Sequence, residues 1–91
     1  PLSAGPLPFR GGDMHITFAS DGGSLMTELA IYDIQGRRIR TLVRGHYPVG
    51  ESRVTWDGRD EAGQHTGSGA YFLRLSDGGR TVATSKILVA R

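Results

Sequence analysis

The sequence predicts an all-β fold, an antiparallel β-sandwich of about seven strands. Hydrophobic and polar residues alternate along several segments, which is the pattern of half-buried strands. Glycine accounts for 14 of 91 residues without a collagen-like period, and turn signals recur roughly every 8–12 residues. No segment carries the apolar stripe of an amphipathic helix. These observations together indicate two packed antiparallel sheets, the β-sandwich architecture.

Length and composition restrict the class of protein. Ninety-one residues form one domain near the lower limit for a single core, and an enclosed substrate cleft would use much of that core. The absence of cysteine excludes disulfides and thiolate metal sites. A net charge of +2 is small for a nucleic-acid-binding domain, and no apolar run approaches the roughly 18 residues of a membrane span. We therefore expect a non-enzyme with no nucleic-acid partner and no membrane span.

The first twelve residues differ from the rest because they combine prolines and glycines without any periodicity. Prolines disfavour helices and central strands, so residues 1–12 are predicted to be a linker or lead-in and residues 13–91 the folded domain. The chain starts at Pro1 without a signal segment, and we expect it to be a piece of a longer polypeptide.

The elements of the domain follow the alternation in order. Met14, Ile16 and Phe18 mark the inner face of a strand, and Leu29 and Ile31 mark that of the next. A type I turn closed by a left-handed glycine is predicted from Asp33 to Gly36. Further strands are predicted at residues 37–43, 51–56, 70–76 and 80–90, with an irregular loop at 57–68.

The core should consist of the large apolar side chains on the inner strand faces. Its predicted members are Phe18, Leu29, Ile31, Ile39, Trp56, Tyr71, Leu73 and Val89. Trp56 is the single tryptophan. Because alternation points it inward, we expect a core anchor whose indole N–H donates to a backbone carbonyl, rather than a platform for carbohydrate stacking.

Short motifs spread along the chain resemble a known family. In order they are Pro8-Phe9, Leu29-Ala-Ile-Tyr-Asp33, Gly36-Arg-Arg-Ile-Arg40, Gly50, Val54-Thr-Trp-Asp-Gly58, Asp60, Gly63, Gly69-Ala-Tyr71 and Lys86-Ile87. Their order and spacing resemble the immunoglobulin-like (Ig-like) domain of the flagellar hook-capping protein, the FlgD type, over residues 8–91. They also resemble the type A C-terminal sorting domains of the type IX secretion system, although Pro6-Leu-Pro8-Phe9 departs from the Pro-Asn-Pro start of those domains.

The resemblance implies an Ig-like C-terminal module of a larger exported bacterial protein, secreted or at the cell surface. Its partners would be the upstream domain of the same polypeptide and a secretion or surface component. The structural motif that it assigns comprises Asp33, Gly36, Arg37, Trp56, Asp57, Gly58, Gly69, Tyr71 and Lys86. The motif order suits both a sorting signal read by an outer-membrane translocon and a scaffold domain of a flagellar or surface assembly.

Catalytic and metal chemistry has little support in the sequence. His15, His46 and His65 lack the spacing of a local metal motif, and no nucleophile elbow or P-loop is present. We predict no cofactor. The alternative is a calcium site formed by Asp57, Asp60 and Glu61, although their spacing is not that of an EF-hand and Asx-turns explain the two aspartates.

A second polar signal lies in the arginine-rich strand. Arg38, Arg40 and Arg44 share parity and should line one outward face. This face could bind a polyanion, but the pattern favours protection of a sheet edge from aggregation, because aromatic residues are not interleaved with the arginines. Tyr32 and Phe72 have the parity opposite to the core. Either they join these arginines in an interaction surface, or a bulge shifts the parity and both are buried.

The sequence supports three hypotheses about the function of the chain. The leading hypothesis is a non-catalytic module for secretion sorting, surface attachment or domain–domain interaction. One alternative is a carbohydrate-binding module of a secreted hydrolase, which would need exposed coplanar aromatics such as Tyr32, Tyr47 and Phe72. The other alternative is a scaffold domain of a flagellar or cell-surface assembly.

Overall fold

A computed structural model describes residues 2–22 and 26–91. The strands are β1 Leu2–Gly5, β2 Met14–Ser20, β3 Thr27–Asp33, β4 Arg38–Gly45, β5 Gly50–Trp56, β6 Gly69–Asp77 and β7 Arg80–Val89. They form a three-stranded sheet of order β1-β2-β5 and a four-stranded sheet of order β4-β3-β6-β7, both antiparallel. The predicted all-β, Ig-like sandwich of about seven strands is confirmed.

The core lies between the two sheets. Strand β2 buries alternate residues, and β3 and β6 bury their inner faces against it, as the alternation predicts. Six predicted core residues are buried, and Ile39 and Tyr71 pack against the cluster while partly exposed. The buried cluster also contains Phe9, Met14, Ile16, Val43, Leu75 and Ile87.

The amino-terminal segment is part of the sandwich. Residues 2–5, which were predicted to be lead-in, form the edge strand β1 and pair with β2, with Leu2 opposite Phe18. Phe9 is also buried; its N–H donates to the Leu88 carbonyl at 2.7 Å. The prediction of a linker or lead-in was wrong for residues 2–5, because Pro6 follows β1 directly and prolines are tolerated at the ends of a short edge strand.

The turn between β3 and β4 has the predicted geometry. The Gly36 N–H donates to the Asp33 carbonyl at 3.0 Å, and Gly36 has a φ of 81°. The N–H groups of Gln35 and Arg37 both donate to the Asp33 carboxylate at 2.9 Å, and the Arg37 Nε donates to its second oxygen at 2.9 Å. Asp33 therefore closes the hairpin with its side chain.

Candidate functional site

Two irregularities in β4 decide where its arginines lie. The β3–β4 register shifts between Leu29 and Ala30 and again between Ile31 and Tyr32, and each extra residue on β4 reverses the side that the following residues face. Arg38 and Arg44 are opposite the outward residues Tyr32 and Glu28, whereas Arg40 is opposite the buried Ile31. The prediction that all three arginines share one outward face is therefore wrong for Arg40.

Arg40 instead reaches the loop that follows β5. Its Nη1 donates to the Asp57 carboxylate at 3.0 Å and to the Arg59 carbonyl at 3.2 Å. Strand β4 is nevertheless an edge strand, and its bulges and charges are features that protect sheet edges from pairing with other chains.

The solvent-facing side of the four-stranded sheet gathers the remaining predicted interaction residues. The strand registers place Lys86, Phe72, Tyr32 and Arg38 opposite one another in a single row across β7, β6, β3 and β4. Neighbouring strands lie about 4.8 Å apart, so this row is about 14 Å long. We call this row, with Arg44 and Arg74, the outer face.

The cations of the outer face have few partners in the fold. The Arg74 guanidinium lies 4.2 Å from the Tyr32 ring centroid. Arg38 and Arg44 both approach Glu28, at 4.0 and 3.8 Å, and their side chains remain 54% and 66% exposed. In residues 2–22 and 26–91, neither Arg74 nor Lys86 forms an ion pair. The outer face is therefore a cationic surface built around two aromatic rings.

A shallow groove of about 310 Å³ adjoins this face. Glu28, Tyr32, Arg44, Arg74 and Ser76 contribute to its lining, which is predominantly polar. The groove extends the outer face toward the β6–β7 turn and offers room for a side chain of a partner.

The three carboxylates considered for calcium have different partners. Asp57 accepts from Arg40 and from the Arg59 N–H, Asp60 accepts from the Gln64 N–H, and Glu61 accepts from the Thr41 N–H. No group of three or more His, Asp or Glu side chains that could hold a metal occurs in the described part of the chain. The structure therefore does not bring Asp57, Asp60 and Glu61 together. Asp57 forms an Asx-turn with the N–H two residues on, whereas Asp60 accepts from the N–H four residues on.

Asp57 shows the electrostatics of this loop. Partial burial acts to raise its pKa, but the Arg59 N–H and the Arg40 and Arg59 guanidinium groups outweigh that effect. The pKa of Asp57 is thus held below its ordinary value. The carboxylate stays charged because it is a structural partner of cations, which is the usual role of such a loop residue.

The loop from residue 57 to residue 68 closes one end of the sandwich; together with Phe9, Trp56 and Arg91 we call it the loop end. Trp56 stacks on Phe9 at 5.6 Å between ring centroids, and its Nε1 donates to the Arg59 carbonyl at 2.9 Å. The predicted role of Trp56 as a core anchor with a satisfied indole N–H is confirmed.

Arg91 completes the loop end. Its Nη2 donates to the Gly58 carbonyl at 2.9 Å, its Nε donates to the Thr66 carbonyl, and its guanidinium carbon lies 5.8 Å from the Phe9 ring centroid. This contact was not predicted, since a lone arginine in the sequence carries no signal of it. The Pro8-Phe9 motif was the one available hint that Phe9 packs here.

The other residues of the structural motif have identifiable places. The Tyr71 hydroxyl donates to the Gly67 carbonyl at 2.9 Å, Gly69 begins β6, and Lys86 lies on the outer face. Tyr47 packs edge-on against the buried Phe18 at 5.5 Å, away from the outer face. Tyr32, Tyr47 and Phe72 therefore do not form one carbohydrate-stacking platform. His15, His46 and His65 are exposed.

The fold and the outer face define an Ig-like module with a cationic and aromatic sheet surface. The family model described as the FlgD Ig-like domain matches residues 7–81, most of the chain, and the chain belongs to that family. Domains of this family are typically non-catalytic. No curated protein and no solved structure matches the chain. The part of the chain that the structure describes contains no helix able to cross a membrane.

Proposed function

We propose that this chain is a non-catalytic interaction module of a larger exported bacterial protein. The module would connect that protein to a secretion or cell-surface component. The outer face is the observation that carries the proposal. Four cations and two aromatic rings stand on one sheet surface, and Arg74 and Lys86 have no ion-pair partner in the described residues. Residues that the fold does not use are available to a partner.

The polar side chains of the interior support the same assignment. In the described residues, every buried side-chain nitrogen or oxygen has a hydrogen-bond partner. Thr66 donates to the Gly58 carbonyl at 3.0 Å, and Thr27 donates to the Asp77 carboxylate at 2.9 Å. These groups hold the sandwich together, since satisfied buried groups are those of a structural core. The proposal includes no cofactor and no metal, because the loop carboxylates already accept hydrogen bonds from the chain.

Two settings suit such a module. The motif order from Pro8-Phe9 to Lys86-Ile87 supports a C-terminal domain that directs its parent protein through a type IX secretion system. The family match supports a scaffold domain in a flagellar hook-related or surface assembly. We place sorting and surface attachment first, because the motifs extend to residue 87, beyond the matched range.

A fusion experiment tests the sorting role. The chain is attached to the carboxyl end of a fluorescent reporter with an export signal, in a bacterium with a type IX system and in a strain lacking the translocon. We expect the reporter outside the outer membrane only in the complete strain, measured by surface protease accessibility and by fluorescence of the medium.

The control is a fusion with Gly58→Val, which obstructs the loop end and leaves the outer-face residues unchanged. It should remain in the periplasm if a folded module is required. Equal distribution of the intact fusion in both strains would refute sorting. Recruitment of the reporter to the hook of a flagellated strain would then favour the scaffold role.

A further inference from the structure

We propose that the outer face binds an acidic, extended polypeptide segment in which two carboxylate side chains flank a central apolar one. This inference rests on the proposed function, since it names the chemistry of the partner that the module would hold. The occupant is a protein segment, and the row of Lys86, Phe72, Tyr32 and Arg38 is its docking site.

The charge of the face determines the charge of its partner. Lys86 and Arg38 stand at the two ends of the row, while Arg74 lies beside it on β6. One carboxylate, Glu28, is shared by Arg38 and Arg44 at distances near 4 Å. The net charge of these groups is positive, and guanidinium groups with open donors bind carboxylates bidentately. An anionic partner therefore complements this surface.

The covered ring of Tyr32 distinguishes a polypeptide from a polysaccharide or a nucleic acid. Sugars and bases bind aromatic side chains by lying flat on an open ring face. Arg74 already lies 4.2 Å from the Tyr32 ring centroid, so one face of that ring is occupied. A guanidinium stacked on a ring keeps its N–H edge open for a carboxylate in its own plane. The arrangement favours carboxylate recognition over ring stacking.

The length of the row fits an extended chain. Lys86 and Arg38 are about 14 Å apart across four strands. In an extended segment, side chains on one face recur about every 6.8 Å, so residues four apart are separated by nearly the same distance. Carboxylates at the first and fifth positions would reach Lys86 and Arg38. The third side chain would lie between Phe72 and Tyr32 and pack on the Phe72 ring, since Arg74 covers the Tyr32 ring.

The test uses the full 91-residue chain and a synthetic peptide of sequence Asp-Ser-Phe-Ser-Asp with short glycine–serine flanks. Amide chemical-shift changes measured by NMR should be confined to the four-stranded sheet, β4-β3-β6-β7. The peptide with Asn in place of both Asp residues should bind about tenfold more weakly or worse, and added salt should weaken the Asp peptide.

Matched variants locate the binding site. Arg38→Gln combined with Lys86→Gln should reduce affinity at least about tenfold, whereas Arg53→Gln, on β5 of the other sheet, should leave it unchanged. All three residues are exposed, and an unchanged spectrum of the core amides shows that each variant is folded. Equal binding of the Asn peptide, or shift changes centred on the three-stranded sheet, would overturn the inference.

Competing occupants are tested directly with polygalacturonate and a single-stranded oligothymidylate. Tighter binding of either one at the same row would replace the polypeptide assignment. The outcome is separable from the sorting experiment. If the reporter is sorted but the peptide does not bind, this inference alone fails. If the peptide binds but the reporter is not sorted, the sorting role fails and the docking surface remains.

Discussion

Arginine side chains serve two different purposes in this sandwich, and the loop end and the outer face show the contrast. At the loop end, Arg59 and Arg91 donate to backbone carbonyls, and Arg40 of β4 donates to Asp57 and to the Arg59 carbonyl. On the outer face, the ion pairs of Arg38 and Arg44 with Glu28 are 4.0 and 3.8 Å long. Short bonds to backbone groups hold a loop in place, whereas long exposed pairs contribute little to stability.

The contrast separates residues that make the fold from residues that the fold leaves available. A loop without regular structure needs partners for its backbone groups, and Arg40, Arg59 and Arg91 supply donors to several of its carbonyls. A regular sheet already pairs its own backbone, so the side chains on its outer surface are not needed for that purpose. We infer that mutations at the two regions will affect different properties, namely stability at the loop end and binding at the outer face.

Gly58→Ala, at the loop end, is expected to cause the largest loss of stability. Gly58 has a φ of +80°, and an added Cβ would lie 2.7 Å from Phe9 Cε2 and 2.6 Å from Arg91 Nη2. Left-handed strain and overpacking together should lower the free energy of unfolding by about 3 kcal/mol. Urea titration followed by Trp56 fluorescence measures this loss, because that ring packs in the same cluster.

Gly63→Ala is the matched control for Gly58→Ala. Gly63 lies in the same loop with a φ of +82°, but an added Cβ there has no atom within 4 Å. Gly63→Ala should lower the free energy of unfolding only by the backbone strain, about 1–2 kcal/mol. Equal losses for the two variants would show that the contacts of Gly58 with Phe9 and Arg91 do not matter, and the loop end would lose its role as a packed closure.

A smaller effect is expected for Arg91→Met. Methionine keeps an apolar stem against Phe9 but removes the donors to the Gly58 and Thr66 carbonyls. Thr66 still donates to the Gly58 carbonyl, so the loss should be about 1–2 kcal/mol of unfolding free energy in the same titration.

The same substitution on the other side of the molecule completes the comparison. Arg44→Met removes an exposed arginine whose ion pair is 3.8 Å long, and it should change stability by no more than about 0.5 kcal/mol. If Arg44→Met lowers the free energy of unfolding as much as Arg91→Met does, the proposed division between arginines that stabilise the fold and arginines left for a partner is incorrect.

Much of this architecture follows from the sequence because period-two alternation determines which side chains face the core. The inner residues Phe18, Leu29 and Leu73 and the Asp33–Gly36 turn were predictable from local pattern alone. The orientation of Arg40 was not predictable, since a bulge reverses the side that the following residues face and leaves no mark in composition. The contacts of Phe9 and Arg91 could not be predicted from local pattern either, because they join segments distant in sequence.

The smallest predicted effect concerns Asp33, which is paired like the loop-end residues, although its partner Arg37 is 74% exposed. The N–H of Arg37 is the largest cause that lowers the Asp33 pKa below its ordinary value of 3.8; the Arg37 side chain and the Gln35 N–H lower it further, against some desolvation. A pKa depressed by folding adds stability above the unfolded value, and that stability is lost as the pH falls through the folded pKa. The difference in unfolding free energy between the wild type and Asp33→Asn should therefore shrink below about pH 4.

Arg37→Gln shows which part of the pairing matters at Asp33. This variant removes the guanidinium but keeps the Arg37-position N–H that contributes most to the shift, so the Asp33 pKa should stay below 3.8 while moving upward. An NMR titration of the Asp33 carboxyl carbon in both proteins measures the two values. A return of the pKa to 3.8 in Arg37→Gln would mean that the side-chain ion pair, and not the turn backbone, holds the carboxylate. Exposed ion pairs elsewhere, including those of the outer face, would then stabilise the fold more than we infer.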